Sequence, residues 1–501
     1  MQRICLLVVL AMASSVFAHA QANVSSITVN ASGAALLTTD GLSSNTVTGY
    51  ARLSGDGKTP LPAGQAILSF SKNGVLINET AVAGTTPILA GRFYAEVVDS
   101  VSTGLAIANP NDLAATISFF FTDSDGTDFG QGSMTLAANN QIARFLDQPP
   151  FSASAPLRGT FTFRSSIPVA AVVLRGSTNE RSEFLMTTLP VADLNGAPQN
   201  QPILFPHYAD GGGWTTQVIL VNPTDFPMYG SMQFFGQISA TASDDTINVP
   251  SGAGTFNYFI PPRGSRRFQS AGAGDFPHSG SFQVMPTNYS GVPDSVSTTP
   301  SGVAIFSYKQ AYITITEAAV PPVNASTAFR IYGESSGDFK THKSGAVQSG
   351  VAIANASTFP VTVDFELLKP NGVSVGLTGS LDLVPNGQTA LFLTEIPGFA
   401  SLKLPFKGVL RVSVPPGPGI SVVGLRGRYN ERGDLLIATT PPVTDNSTQP
   451  TQSIFPDVAI GGGYSTQVIL LNTDPQNRRT AVLKFLTPTG AALPMRILND
   501  N

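Results

Sequence analysis

Residues 205–222, FPHYADGGGWTTQVILVN, return 250 residues later at 455–472 as FPDVAIGGGYSTQVILLN. A chain that repeats itself so closely does not fold around one large core. Each copy must bury its own apolar residues or share them with a neighbour. Other blocks repeat at similar distances. GLAIAN at 104–109 returns as GVAIAN at 350–355, GQAILSF at 64–70 as GVAIFSY at 302–308, and LRGSTNER at 174–181 as LRGRYNER at 425–432. The offsets drift by a few residues, as loop insertions make them.

A weaker repeat lies inside the long one. Each copy opens with an apolar strand ending in Asn (AIAN or VILVN), and closes, after a VAAVVLR- or GVAIFSY-type strand, on EFLMTTLPV or ITEAAVP. The unit is about 100–125 residues, within the ordinary size of a domain. Full copies are expected at 91–198, 199–322 and 323–445. Residues 21–90 supply only the closing half of a unit, and 446–501 only the opening half. A half-unit alone would expose apolar strands and unpaired edges. The two ends are therefore expected to pair, strands near 64–82 against strands near 465–487, with capping of neighbours or exchange between molecules as the competing outcomes.

The unit is expected to be all-β. Apolar and polar residues alternate with period two, as in Ser380-Leu381-Asp382-Leu383, and turn dipeptides such as Asn371-Gly372, Asn386-Gly387 and Asp125-Gly126 separate the runs. No capped 3.6-residue period is sustained. Only 12% of residues are Asp, Glu, Lys or Arg, against about 25% in a typical soluble domain. That excludes coiled coils and long charged helices. The expected fold is a tandem set of immunoglobulin-like (Ig-like) β-sandwich modules. It admits a closed arrangement of four, the terminal halves completing one module. No Cys…Trp…Cys pattern of antibody domains is present.

The phrases FPHYADGGGWTTQVILVNPTD, GLAIANPND and LRGRYNERGDLLIATTPPV resemble a family of secreted tandem-repeat proteins abundant in acidobacterial genomes. The resemblance implies lineage and export. It implies no activity, and so no catalytic residues.

Export is also expected from the first twenty residues. Arg3 precedes an apolar run from Cys5, and Ala18-His19-Ala20 fits a small-x-small cleavage site. The run is too short to span a bilayer, and no later stretch does so. Removing 1–20 removes Cys5, the only cysteine, leaving no disulfide and no thiolate metal site. The expected location is secreted: extracellular, periplasmic or cell-surface. The net charge is −4 with no basic block, which disfavours nucleic acid as a partner. An extracellular polymer or protein is the partner that remains.

Four features are candidates for chemistry. Asp210, Gly211, Gly212, Gly213 and Trp214, with the copy Gly461, Gly462, Gly463 and Tyr464, form either a ligand-contacting loop with an aromatic plate or a bulge packed at a seam between modules. Arg175, Glu180 and Arg181, with Arg426, Glu431 and Arg432, form either a polar recognition site or ion pairs holding neighbouring modules. Asp123, Asp125 and Asp128 bracket Gly126. They suit a weak Ca²⁺ loop, or simply a hairpin whose copy has lost its acids. His207 is replaced by Asp457 in the copy and is expected in a surface loop. No G-x-S-x-G or H-E-x-x-H is present. No catalytic residue, cofactor or metal is assigned. The leading expectation is a non-catalytic exported protein for surface interaction, adhesion or matrix structure. The alternative is a set of glycan- or polymer-binding modules using the Gly-rich aromatic loops.

Overall fold

A computed structural model describes residues 24–236, 254–445, 447 and 449–499. The expected signal segment 1–20, with Cys5, lies outside the described residues. The described chain is built of antiparallel strands grouped into six sheets, with a single 3-10 turn at Leu393–Glu395 among them. No helix among the described residues is long and apolar enough to cross a membrane.

The sheets pack in a sandwich-like way around four large apolar clusters. The cluster of residues 203–320 shows the arrangement most simply. One layer has the order Ile203–Asp210, His278–Thr287, Met228–Phe235, Thr255–Ile260. The other has the order Ser265–Gln269, Trp214–Val221, Ser301–Gln310, Ile313–Val320. Between them lie Phe205, Met232, Phe234, Phe268 and Phe282, all essentially inaccessible to solvent. Thr255–Ile260 alternates exposed and buried residue by residue, as one solvated face requires.

In residues 88–193 both layers share one strand of 22 residues, Leu157–Thr178. Residues 159–165 pair with residues 117–123 of the strand Ala115–Asp123, and residues 170–177 pair with Val101–Ala108. Residues 328–444 repeat this plan with separate strands for the two layers.

The fourth cluster is made by the two ends of the chain. Ala63–Lys72 pairs antiparallel with Tyr464–Leu471, Ile67 opposite Gln467. Ala34–Thr39 flanks the other edge of Tyr464–Leu471. In the facing layer Val24–Val29 pairs with Arg479–Leu486, and Val47–Ser54 pairs with both Arg479–Leu486 and Gln452–Ile460. Val29, Leu53, Ala66, Phe455, Val468 and Leu483 fill the space between and are fully buried.

The continuous apolar runs have a physical reason. In Trp214–Val221, Val218 and Leu220 enter the cluster of their own layers, while Ile219 and Val221 enter the cluster of residues 93–189. The copy behaves alike: Val468 and Leu470 face inward, and Ile469 and Leu471 pack on Tyr332, Leu368 and Val409. A strand buried on both faces cannot alternate apolar with polar. At about 1.5–3 kcal/mol per buried Val, Leu or Ile side chain, these outward residues bind the clusters to one another. Ala352, Val423 and Leu425 extend the 203–320 cluster. Leu68 and Val82 meet Ala106 and Val172, and Tyr50 and Ile454 meet Ala108 and Ala170.

Candidate functional site

The two Gly-rich loops are the same hairpin turn. Gly211, Gly212 and Gly213 have φ of 77°, 60° and 92°, and Gly461, Gly462 and Gly463 have 73°, 59° and 95°. Three successive left-handed residues suit only glycine. Gly211 and Trp214 exchange backbone hydrogen bonds of 3.0 Å, and Gly461 and Tyr464 close the copy. A Cβ on Gly213 would strike the Lys309 carbonyl oxygen, and one on Gly463 that of Ser71. The glycines therefore permit close backbone approach. Asp210 is buried and accepts from the Gly272 amide at 3.1 Å. Trp214 is half-buried, 4.8 Å from the Tyr308 ring and 5.5 Å from that of Phe306. It packs on the cluster that also takes Ala390, Phe392 and Leu435. Tyr464 lies 4.6 Å from the Phe70 ring.

The Arg/Glu turns are brought together from both copies. Arg175 donates to Glu96 at 3.4 Å and to Glu317 at 2.6 Å. Arg426 donates to Glu79 at 3.1 Å and to Glu334 at 2.7 Å. Each arginine thus lies between one acid from its own group of strands and one from a neighbouring group. Both are almost fully buried. Burial alone would lower their pKa, but the paired carboxylates more than offset it and hold both above the usual arginine value. Burial alone would raise Glu79, and Arg426 with Arg428 holds it below the usual carboxylate range. Around Arg175 and Glu96 lies a polar cavity of about 310 Å³ that Arg158, Arg267 and Glu317 also line.

The turn tips cap neighbouring strands. Glu180 accepts from the Thr314 amide and Glu431 from the Leu76 amide, each at 2.7 Å. Asn179 and Asn430 donate to the carbonyls of the same two residues, each at 2.9 Å. Arg181 reaches Asp434, and Arg432 reaches Glu183. The result is a charge-assisted network between strand groups, in which the Nε atoms of Arg267 and Arg428 are buried without a hydrogen-bond partner.

The acidic loop is a hairpin. Asp123 accepts from the amides of Asp125 and Thr127, each at 2.9 Å. Asp128 pairs with Arg263 at 3.1 Å. No group of three or more metal-ligating side chains forms among the described residues.

His207 departs from expectation. It is buried within Ile203–Asp210 rather than carried on a surface loop. It sits in a register shift between Phe205 and Tyr208, and Asp457 in the matching shift between Phe455 and Val458. A bulge interrupts alternation and re-aims a side chain, so period two cannot place either residue. His207 Nδ1 lies 3.2 Å from Gln388 Nε2, and burial lowers its pKa to about 4. Burial raises that of Asp457 to about 6.

Sequence reasoning noticed the recurring Asn but gave it no role. Asn109, Asn222, Asn355 and Asn472 are all buried. The Nδ2 of each donates to three backbone carbonyls: Leu113, Leu136 and Ala137; Phe226, Ile260 and Pro261; Phe359, Leu383 and Val384; Val29, Asn30 and Asn477. Each pins a loop to the end of a facing strand.

No family model and no curated protein matches the chain. Among solved structures, Thermotoga maritima 1070 aligns at 14% identity over 22% of this chain and 98% of its own, with a TM-score of 0.19. T=1 particles derived from infectious bursal virus align at 9% identity over 86% of this chain and 79% of theirs, with a TM-score of 0.11. An exo-inulinase from Aspergillus awamori aligns at 9% identity over 88% and 98%, with a TM-score of 0.12.

Proposed function

We propose that this is an exported, non-catalytic repeat protein acting in surface interaction, adhesion or matrix structure. Its scaffold is four Ig-like modules, one completed by the chain ends, closed on one another through the Arg/Glu network. The reading rests on one repeated observation. Leu113, Phe226 and Phe359 are 70%, 75% and 71% exposed, and each is the residue whose carbonyl is held by a buried Asn. A lone exposed apolar side chain needs no explanation. Three at equivalent corners, on loops fixed by buried hydrogen bonds, offer a repeated apolar contact at little ordering cost. The loop after Asn472 carries Asn477 at this place instead.

The test is attachment of cells producing the chain to an apolar surface. The triple variant Leu113→Ser, Phe226→Ser, Phe359→Ser is expected to be exported in equal amount and to attach several-fold less, as lost multivalency implies. Equal attachment contradicts the reading. The alternative, glycan or polymer binding by the Gly-rich aromatic loops, draws on the half-buried rings of Trp214 and Tyr464. It would give signal on a glycan array that Trp214→Ala abolishes.

A further inference from the structure

Where the end-completed cluster meets the strands of residues 101–189, a cavity of about 260 Å³ opens. Its walls are mostly apolar: Leu68, Phe145, Val172, Phe184 and Met186 contribute. Its ionisable lining side chains are Asp457, Tyr464 and Arg144, and Arg144 is itself exposed. Arg144 donates to the carbonyl of Ala143, and forms no ion pair with Asp457.

The repeat explains why this carboxylate lacks a partner. In the other copy Gln388 faces His207. The equivalent glutamine here, Gln141, donates instead to the carbonyl of Pro456 at 3.1 Å. Asp457, the next residue, is left with no hydrogen-bond donor among the described residues. The repeat also explains why space remains. Trp214, Phe306 and Leu391 stand where this junction has Tyr464, Leu68 and Arg144. Phe306 packs into its cluster, with the Trp214 ring against it. The smaller Leu68 leaves the volume open.

We propose that this cavity binds a small apolar amine, its ammonium held by the Asp457 carboxylate and its body enclosed by Leu68, Val172, Phe145 and Phe184. A carboxylate in apolar surroundings is costly unless it is paired, and a bound ammonium supplies the missing charge. The aromatic rings suit a cation and its hydrocarbon together. Small-molecule clefts run to about 300–1,000 Å³, and the cavity lies just below that range, so only a small ligand fits. A metal ion is a poorer occupant, since one carboxylate offers too few oxygen ligands.

The test is calorimetric titration of the full chain with 2-phenylethylamine, with 2-phenylethanol as the neutral match. Saturable binding of the amine is expected, about tenfold or more tighter than the alcohol, as a charge-assisted contact implies. Asp457→Asn should weaken the amine about tenfold and leave the alcohol unchanged. Leu68→Phe, which copies the other junction, should abolish both. Acidification below about pH 6 should weaken the amine alone, because Asp457 takes up a proton. Thermal unfolding of each variant confirms its fold. The absence of saturable amine binding, equal affinity for amine and alcohol, or an unchanged affinity in Asp457→Asn would each overturn the proposal.

Discussion

Arg181 donates from Nη1 to Oδ2 of Asp434 at 2.8 Å, across 253 residues of sequence. Arg432 returns the contact to Glu183, 249 residues away. The two turns are copies of one sequence, and they grip each other reciprocally. Behind them Arg175 and Arg426 each sit between two carboxylates. The buried Arg and Glu side chains Glu79, Glu96, Arg175, Glu183 and Arg426 gather where strand groups meet.

Removing a buried member of this network should cost far more than removing an exposed one. Arg426→Leu leaves Glu79 and Glu334 facing each other without their shared cation. A loss of about 3–5 kcal/mol is expected, as for a broken buried pair. Arg181→Ala, at a third-exposed side chain, should cost less than about 1 kcal/mol. Urea unfolding of both variants gives the comparison, and similar losses would show that the buried network is not a major source of stability.

The glycines of the aromatic loops differ from ordinary turn glycines. Gly463 has φ of 95°, and a Cβ there collides with the Ser71 carbonyl. Gly433 has φ of 81° with nothing within 4 Å. Gly433→Ala should cost about 1 kcal/mol, from the conformation alone. Gly463→Ala should cost at least about 2 kcal/mol more, because backbone must move. Equal costs by chemical denaturation would mean that the close approach carries no energetic weight.

Each buried Asn donates to three carbonyls. Asn355→Ala strips the donor from Phe359, Leu383 and Val384. A loss of about 2–4 kcal/mol is expected from buried acceptors left unpaired. Hydrogen exchange should quicken in Val361–Leu368 and Ser374–Leu383, the strands that this loop joins to the sheet. A loss below about 0.5 kcal/mol would identify water as an adequate substitute.

His207 and Asp457 should show opposite pH dependence. His207 is held down to about 4, below its ordinary 6.5, so the unfolded chain binds the extra proton. Its contribution is present above about pH 6.5 and falls as pH drops toward 4. Asp457 is pushed up to about 6, so the folded chain binds the extra proton. Its contribution is present below about pH 4 and falls as pH rises through 6. Relative to wild type, Asp457→Asn should therefore gain stability as pH rises from about 4 to 7, by on the order of 1 kcal/mol. His207→Leu should gain relative stability over the same interval as pH falls. Thermal unfolding at several pH values reads both slopes, and parallel curves for variant and wild type would refute the assignment.

The repeat offsets carried most of what was legible. They identify Arg175 with Arg426 and the two Gly-rich turns with each other. They also mark the partners. Glu79 and Glu317 are 238 residues apart, as are Glu96 and Glu334, the same spacing as GQAILSF and GVAIFSY. Isolated acids inside apolar strands carry no local signal, so only the shared offset marks them. His207 was misplaced because a bulge breaks the alternation that would have buried it. The cavity beside Asp457 was invisible, since it depends on the size of Leu68 against Phe306 across two distant copies.

The two ends of the chain complete one cluster within a single molecule. Thr28 and Thr480 are opposed residues of paired strands, both exposed, with hydroxyl oxygens 3.1 Å apart. Their side chains are close enough for cysteines at these places to be tested as a disulfide. In a Cys5→Ser background, the variant Thr28→Cys, Thr480→Cys should oxidise at high dilution to a covalently closed monomer, seen as a faster-migrating non-reduced band. Two persistently free thiols, or covalent dimers alone, would show that the ends do not pair within one molecule.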